Sequence, residues 1–186
     1  MLEEDNLIKV ISIDPGNNIG LCIYSLDSTN FKIVNIETKL FVLNNLIDTD
    51  DEYKTLYRLK AISNIIKNVV KTYKPMCLAF ETSFLNMRFP KAVIQLSQYV
   101  GVIELTAYEA DKNIKMFRYM PKYIKKNIGA GGNADKDDMT IAVSLVEDII
   151  EHINVKLLSE HEIDSLAIGY IAIEEIRKFP FLLYAI

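Results

Sequence analysis

The chain is 186 residues long, half of them hydrophobic and a quarter charged, with few glycines and prolines. That is enough for one substantial core and short for two, so a single domain over residues 1–186 is expected, and a fibrous or disordered protein is excluded. The formal net charge of −4 speaks against a uniformly basic nucleic-acid binder, although a Debye length of about 8 Å lets a local basic patch outweigh acids on the far side.

The N-terminal stretch Met1-Leu2-Glu3-Glu4-Asp5 lacks the basic and apolar blocks of a signal peptide, and no apolar run reaches the length of a membrane helix. Cys22 and Cys77 fall inside apolar runs without CxxC spacing, which reads as buried thiols in a reducing compartment. A cytoplasmic protein without a membrane partner is expected.

The first long apolar run, Lys9 to Tyr24, is interrupted by Pro15-Gly16-Asn17-Asn18. It predicts a hairpin of two largely buried strands, with Asp14 closing the first. A carboxylate at the end of an apolar strand is costly to bury without a partner, and a divalent cation is one partner that offsets the cost. A turn-initiating Asp bonded to the Pro-Gly backbone is the plainer alternative. Asp27-Ser28-Thr29-Asn30 makes the next turn, and the alternation from Phe31 to Leu40 predicts a half-exposed third strand completing an antiparallel meander. Acidic residues 48–52 then precede Leu56, Leu59, Ile62, Ile66 and Val69 or Val70. This is a helical stripe with negative charge at its start, ending near Lys74-Pro75.

Met76 to Glu81 predicts a short buried strand that a helical crossover sets parallel to the first. Parallel neighbours place their carboxyl ends together, so Glu81 and Asp14 should project from one sheet edge, where α/β proteins keep their sites. Pro90 to Ala110 predicts a long helix with Val93, Leu96, Val100, Ile103 and Ala107 on one face. Further apolar residues stand at Ile94, Val102, Leu105 and Tyr108. A surface this wide implies burial on two sides, by neighbouring helices or, as we expect, by a second subunit. Ile114 to Met120 predicts a fifth strand, and Pro121 suits the first position of the next helix.

From Lys112 to Ala134 the chain carries Lys112, Lys115, Arg118, Lys122, Lys125 and Lys126 with no acid. Alone, this reads as a solvated lysine face. Gly129-Ala130-Gly131-Gly132-Asn133-Ala134-Asp135-Lys136 fails the Walker pattern, because Asp135 and Asp137 flank the lysine. It reads equally as a flexible connector or as a loop whose following helix start meets a phosphate oxygen. That helix is expected from Lys136 to His152. The last helix starts at Ser159, with Glu162 completing a capping box, and runs to about Lys178 before Pro180. His161 and Asp164, one turn apart, share a face, and Glu160 with Asp164 is the alternative pair. The apolar tail Phe181 to Ile186 is expected to pack into a groove or a dimer seam.

Oxygen ligands from three separated segments, with at most one imidazole, suit magnesium or manganese better than zinc. Two such ions about 4 Å apart support in-line hydrolysis of a phosphodiester, which points to a nucleic-acid backbone as substrate. The chemistry-bearing motifs are Ile13-Asp14-Pro15-Gly16 opening a meander, Phe80-Glu81 ending the fourth strand, and His161-Glu162-Ile163-Asp164-Ser165-Leu166-Ala167 on the closing helix. Together they resemble RuvC-type Holliday-junction resolvases of the ribonuclease H-like superfamily.

The resemblance implies an α/β, ribonuclease H-like fold: a five-stranded mixed sheet, three strands in an antiparallel meander and two parallel, flanked by helices. It implies a metal-binding catalytic set of Asp14, Glu81, His161 and Asp164. Phe84 matches the aromatic directed at the junction centre, and Lys125 and Lys136 match basic residues near the scissile phosphate. Lys122 and Lys126 join them as expected DNA-binding residues. The implied partners are four-way DNA and a second copy of the chain, with two magnesium (or manganese) ions per site and no nucleotide cofactor. The acidic total departs from the more basic cellular members, as in viral or plasmid relatives, which would place the protein in a bacterial or host-cell cytoplasm. Two rival readings remain: an actin-like ATPase or kinase-type phosphotransfer domain, and a non-catalytic DNA-binding module on the same fold.

Overall fold

The computed structural model describes residues 6–46, 53–82 and 90–184. Five strands form one sheet: β1 (Leu7–Asp14), β2 (Asn18–Asp27), β3 (Ile33–Val42), β4 (Cys77–Glu81) and β5 (Lys115–Tyr119), in the order β3-β2-β1-β4-β5. The β1, β2 and β3 meander is antiparallel, while β4 pairs parallel with both β1 and β5. This is the expected mixed sheet.

Side-chain alternation divides the core in two. Ile11, Ile13, Leu21, Ile23, Leu78 and Phe80 face α1 (Lys54–Tyr73) and α2 (Pro90–Ala110). Val10, Cys22, Tyr24, Cys77 and Ala79 face α6 (Glu160–Lys178), beside which stand α3 (Pro121–Asn127), α4 (Lys136–Ser144) and α5 (Glu147–Ile150). With both faces covered, β1 from Val10 and β4 are mostly apolar, Lys9 near the start of β1 donating to Ser25 at 2.6 Å, and each strand closes on a carboxylate. Both cysteines are buried and unbridged. Among the described residues, no helix is long and apolar enough to cross a membrane.

Close approach seats α6. Ser12 Oγ donates to the Ser165 carbonyl at 2.6 Å and Tyr24 OH to the Leu166 carbonyl at 2.7 Å, tying the helix to β1 and β2. Two glycines make the contact possible. A Cβ on Gly169 would stand 2.4 Å from the Tyr24 ring, and one on Gly20 would stand 1.8 Å from the His161 carbonyl oxygen. The helix opens with the expected capping box, Ser159 with Glu162, and Thr38 of β3 donates to Glu162 at 2.8 Å.

Several expectations need correction. The helix expected from Lys136 to His152 is two: α4 ends at Ser144 and α5 begins at Glu147, with Val146 extended between them. The break turns Ile149 into the core and brings Asp148 to Arg177 at 2.7 Å, a tertiary gain that local propensity does not register. Leu56, placed on the buried stripe of α1, is 59% exposed, because burial on that helix begins only at Ile62. The acidic run 48–52 lies outside the described residues. In the tail, Leu183 packs into the α6-side core while Phe181 stays exposed.

Candidate active site

Ile13 of β1 stands opposite Phe80 of β4 in the parallel register, so Asp14 and Glu81, each one residue further, leave the sheet side by side. The first turn of α6 crosses the same edge. Asp14, Glu81, His161 and Asp164 therefore line one pocket, with Lys125, Asp135, Lys136 and Glu160 around them. Three segments distant in sequence thus meet, as expected.

His161 Nδ1 lies 2.7 Å from Asp14 Oδ2, and its Nε2 is 3.4 Å from Asn18 Nδ2 and 3.6 Å from Glu160 Oε1. The hydrogen bond to Asp14 chiefly, and its charge, raise the imidazole pKa above the usual value. Burial, reinforced by the charges of Asp14 and Asp164, pushes Glu81 up to about 8. Burial and the Asp14 charge likewise push Asp164 up to about 6, against the opposing pull of His161 and Lys125. These carboxyls resist carrying negative charge together. Among the described residues, no three donors of the His, Cys, Asp and Glu types close on a common point as a ready metal cage.

The lysines divide. Lys125, half-buried, donates to the Ala134 carbonyl at 2.6 Å and so holds the glycine loop beside the pocket. Lys136 contacts Glu160 at the rim. Lys122 and Lys126, one turn apart on α3, are exposed and do not line the pocket. Phe84 lies outside the described residues. At the start of α4 the Asp135 side chain accepts from the Asp138 amide and Asp138 returns the bond to the Asp135 amide in a capping box, which engages two of the amides there and sets negative charge beside them.

Sequence reasoning missed Asn18, Asp135 and Gly20. The Asp135-x-x-Asp138 spacing was a legible cap, and a glycine inside an apolar strand is a signal of close backbone approach. Nothing in the sequence singled out Asn18 from its neighbour Asn17.

A sheet ordered β3-β2-β1-β4-β5, with acids at the carboxyl ends of two neighbouring parallel strands and a helix laid across them, is a ribonuclease H-like fold. The family described as Crossover junction endodeoxyribonuclease RuvC matches residues 10–173. The protein of that name from Wolbachia sp. subsp. Drosophila simulans (strain wRi) is 34% identical over 164 residues, covering 88% of this chain and 92% of the relative. That from Pseudothermotoga lettingae is 28% identical over 164 residues, covering 87% and 91%. Among solved structures, T. thermophilus RuvC in complex with Holliday junction substrate aligns with a TM-score of 0.71 at 20% identity, over 92% of this chain and 96% of that one. The yeast mitochondrial Holliday junction resolvase aligns at 0.64 and 14% identity, over 95% and 81%. The two structural likenesses carry the fold. The chain belongs to the RuvC family of crossover junction endodeoxyribonucleases.

Proposed function

We propose that this chain acts as one domain and, paired with a second copy, resolves four-way DNA junctions as a divalent-metal-dependent endonuclease. Each subunit nicks one strand by in-line attack of water on a phosphodiester. The observation that carries this reading is the meeting of Asp14, Glu81 and Asp164, from three separate elements, in one pocket with Lys125 and Lys136. The family's description and the junction substrate named with a structural neighbour support it.

The donor set fits hard cations. It is three carboxylates and one imidazole, and burial and mutual repulsion raise the pKa of Glu81 and Asp164, a penalty that positive charge relieves. Asp14, Glu81 and Asp164 would hold two magnesium or manganese ions, with His161 completing the set through Nε2, since Nδ1 is engaged by Asp14. When bound, the ions supply Lewis acidity that activates water and offsets charge growing on the phosphate.

The remaining work falls to the chain itself. His161 fixes the Asp14 carboxylate, and Lys125 sets positive charge against the incoming phosphate while restraining the loop behind it. Lys122 and Lys126 would meet backbone phosphates outside the pocket, positioning DNA without reading its sequence. On α2, Ile94, Leu105 and Tyr108 form an exposed apolar row, 50–61% accessible, on the side away from the sheet. This row is the surface for the second copy. The two unbridged thiols suit a reducing cytoplasm.

The test is incubation with labelled four-way, Y-shaped and linear duplex DNA, with and without magnesium. Paired nicks in the four-way substrate alone, dependent on the ion, are the expected result. Equal cutting of linear and branched DNA would remove the resolvase assignment.

A further inference from the structure

The Lys136–Glu160 contact at the pocket rim is not needed to build either helix. Ser159 and Glu162 cap α6, and Asp135 and Asp138 cap α4, which leaves the first residues, Glu160 and Lys136, with side chains free of structural duty. One Glu160 oxygen contacts Lys136 Nζ and the other lies 3.6 Å from His161 Nε2. A single carboxylate thus lies between the Lys136 ammonium and the His161 ring at the mouth of the site. A carboxylate oxygen on the Lys136 ammonium occupies the place that an oxygen of a backbone phosphate would take.

We propose that Glu160 is a positioning residue that stands in for the DNA phosphate. It holds Lys136 at the rim until the scissile-strand backbone displaces it. The inference rests on the DNA-cleaving reading above. The Lys136 and Glu160 side chains are 76% and 43% exposed, so their pairing is weak and exchangeable. The exchange is one of partners only: Lys136 passes from carboxylate to phosphate, and Glu160 is left facing like charge. Bound DNA therefore meets a repulsion that a neutral side chain would not impose.

The experiment measures binding of wild type and Glu160→Gln to four-way and linear duplex DNA in chelator, across a salt series, alone and on a Lys136→Ala background. Magnesium titrations of cleavage accompany it. Glu160→Gln is expected to bind DNA about three- to tenfold tighter at low salt, with a log–log salt slope steeper by up to about one. The gain should be clearly smaller on the Lys136→Ala background, where only the repulsion is relieved, and the magnesium midpoint should stay unchanged. Unchanged affinity, or a gain of equal size without Lys136, overturns the proposal. A raised magnesium midpoint also overturns it, because it makes Glu160 an ion ligand. If wild type binds and cuts linear and four-way DNA alike, the junction assignment fails, while the Glu160 comparison still decides on either DNA.

Discussion

The carbonyl oxygen of His161 lies directly over the α-carbon of Gly20, so that a single added methyl group would come within 1.8 Å of it. Strand β2 and the first turn of α6 thus set each other's position through a contact with no side chain in it. Because that turn also carries Asp164, Gly20→Ala should lift two site residues from Asp14 at once. We expect junction cleavage to fall about a hundredfold or more, as for ångström-scale misplacement of reacting groups. Stability should drop by about 1–3 kcal/mol. Single-turnover cleavage and thermal melts check both.

Glu81 gives a pH dependence whose sign is fixed. Its folded-state pKa is raised from 4.5 to about 8, so between those values the folded chain keeps a proton that the unfolded chain has released. Its contribution to stability is therefore fully present at low pH and is lost as pH rises through that window. Glu81→Gln should abolish this slope and make the ion-free protein more stable than wild type at pH 8 by a few kcal/mol, at about 1.4 kcal/mol per pKa unit. Asp164→Asn should act likewise over the narrower span from 3.8 to about 6. Magnesium should raise the wild-type melting temperature more at pH 8 than at pH 6, since ions and protons compete for the same oxygens. Melts across pH, with and without the ion, test each statement.

The two classes of lysine should separate kinetically. Lys122→Ala and Lys126→Ala, on the open face of α3, should each lower the salt slope of junction binding by about 0.9 and leave the cleavage rate of bound DNA unchanged. Lys125→Met, which frees the loop held through the Ala134 carbonyl, should lower that rate by about tenfold or more. Binding across salt and single-turnover rates at saturating protein distinguish them.

The row on α2 predicts the assembly. Leu105→Glu should convert a dimer to a monomer in sedimentation velocity while leaving the melting temperature nearly unchanged, because Leu105 is 58% exposed in the single chain. The monomer should leave singly nicked junctions where the wild type cuts both strands.

Much of this architecture was legible in the sequence. Asp14 and Glu81 are conspicuous because each is a carboxylate ending an apolar strand, and the helical crossover between those strands implies that they share one sheet edge. The Ser159–Glu162 cap placed His161 and Asp164 on one helical face. The break between α4 and α5 was hidden, because neither Gly nor Pro marks it and the cause is a tertiary one, burial of Ile149 and pairing of Asp148 with Arg177. The same holds for Lys125, whose anchoring bond to Ala134 depends on how the glycine loop folds back. On α2, Tyr99, Ile103 and Ala107 cover one flank, while the opposite flank is open in the single chain, the face for which a second subunit is expected.

The central claim is that Asp14, Glu81 and Asp164 work as one unit. The most direct measurement is single-turnover cleavage of a four-way junction in magnesium by Asp14→Asn, Glu81→Gln, Asp164→Asn and the Asp14→Asn/Asp164→Asn pair, with binding measured in chelator. Each single variant should lose about 10³-fold or more in rate while binding the junction within a few-fold of wild type, and the pair should be no slower than either alone. Near-wild-type cleavage by any one of them, or losses that multiply in the pair, would contradict it.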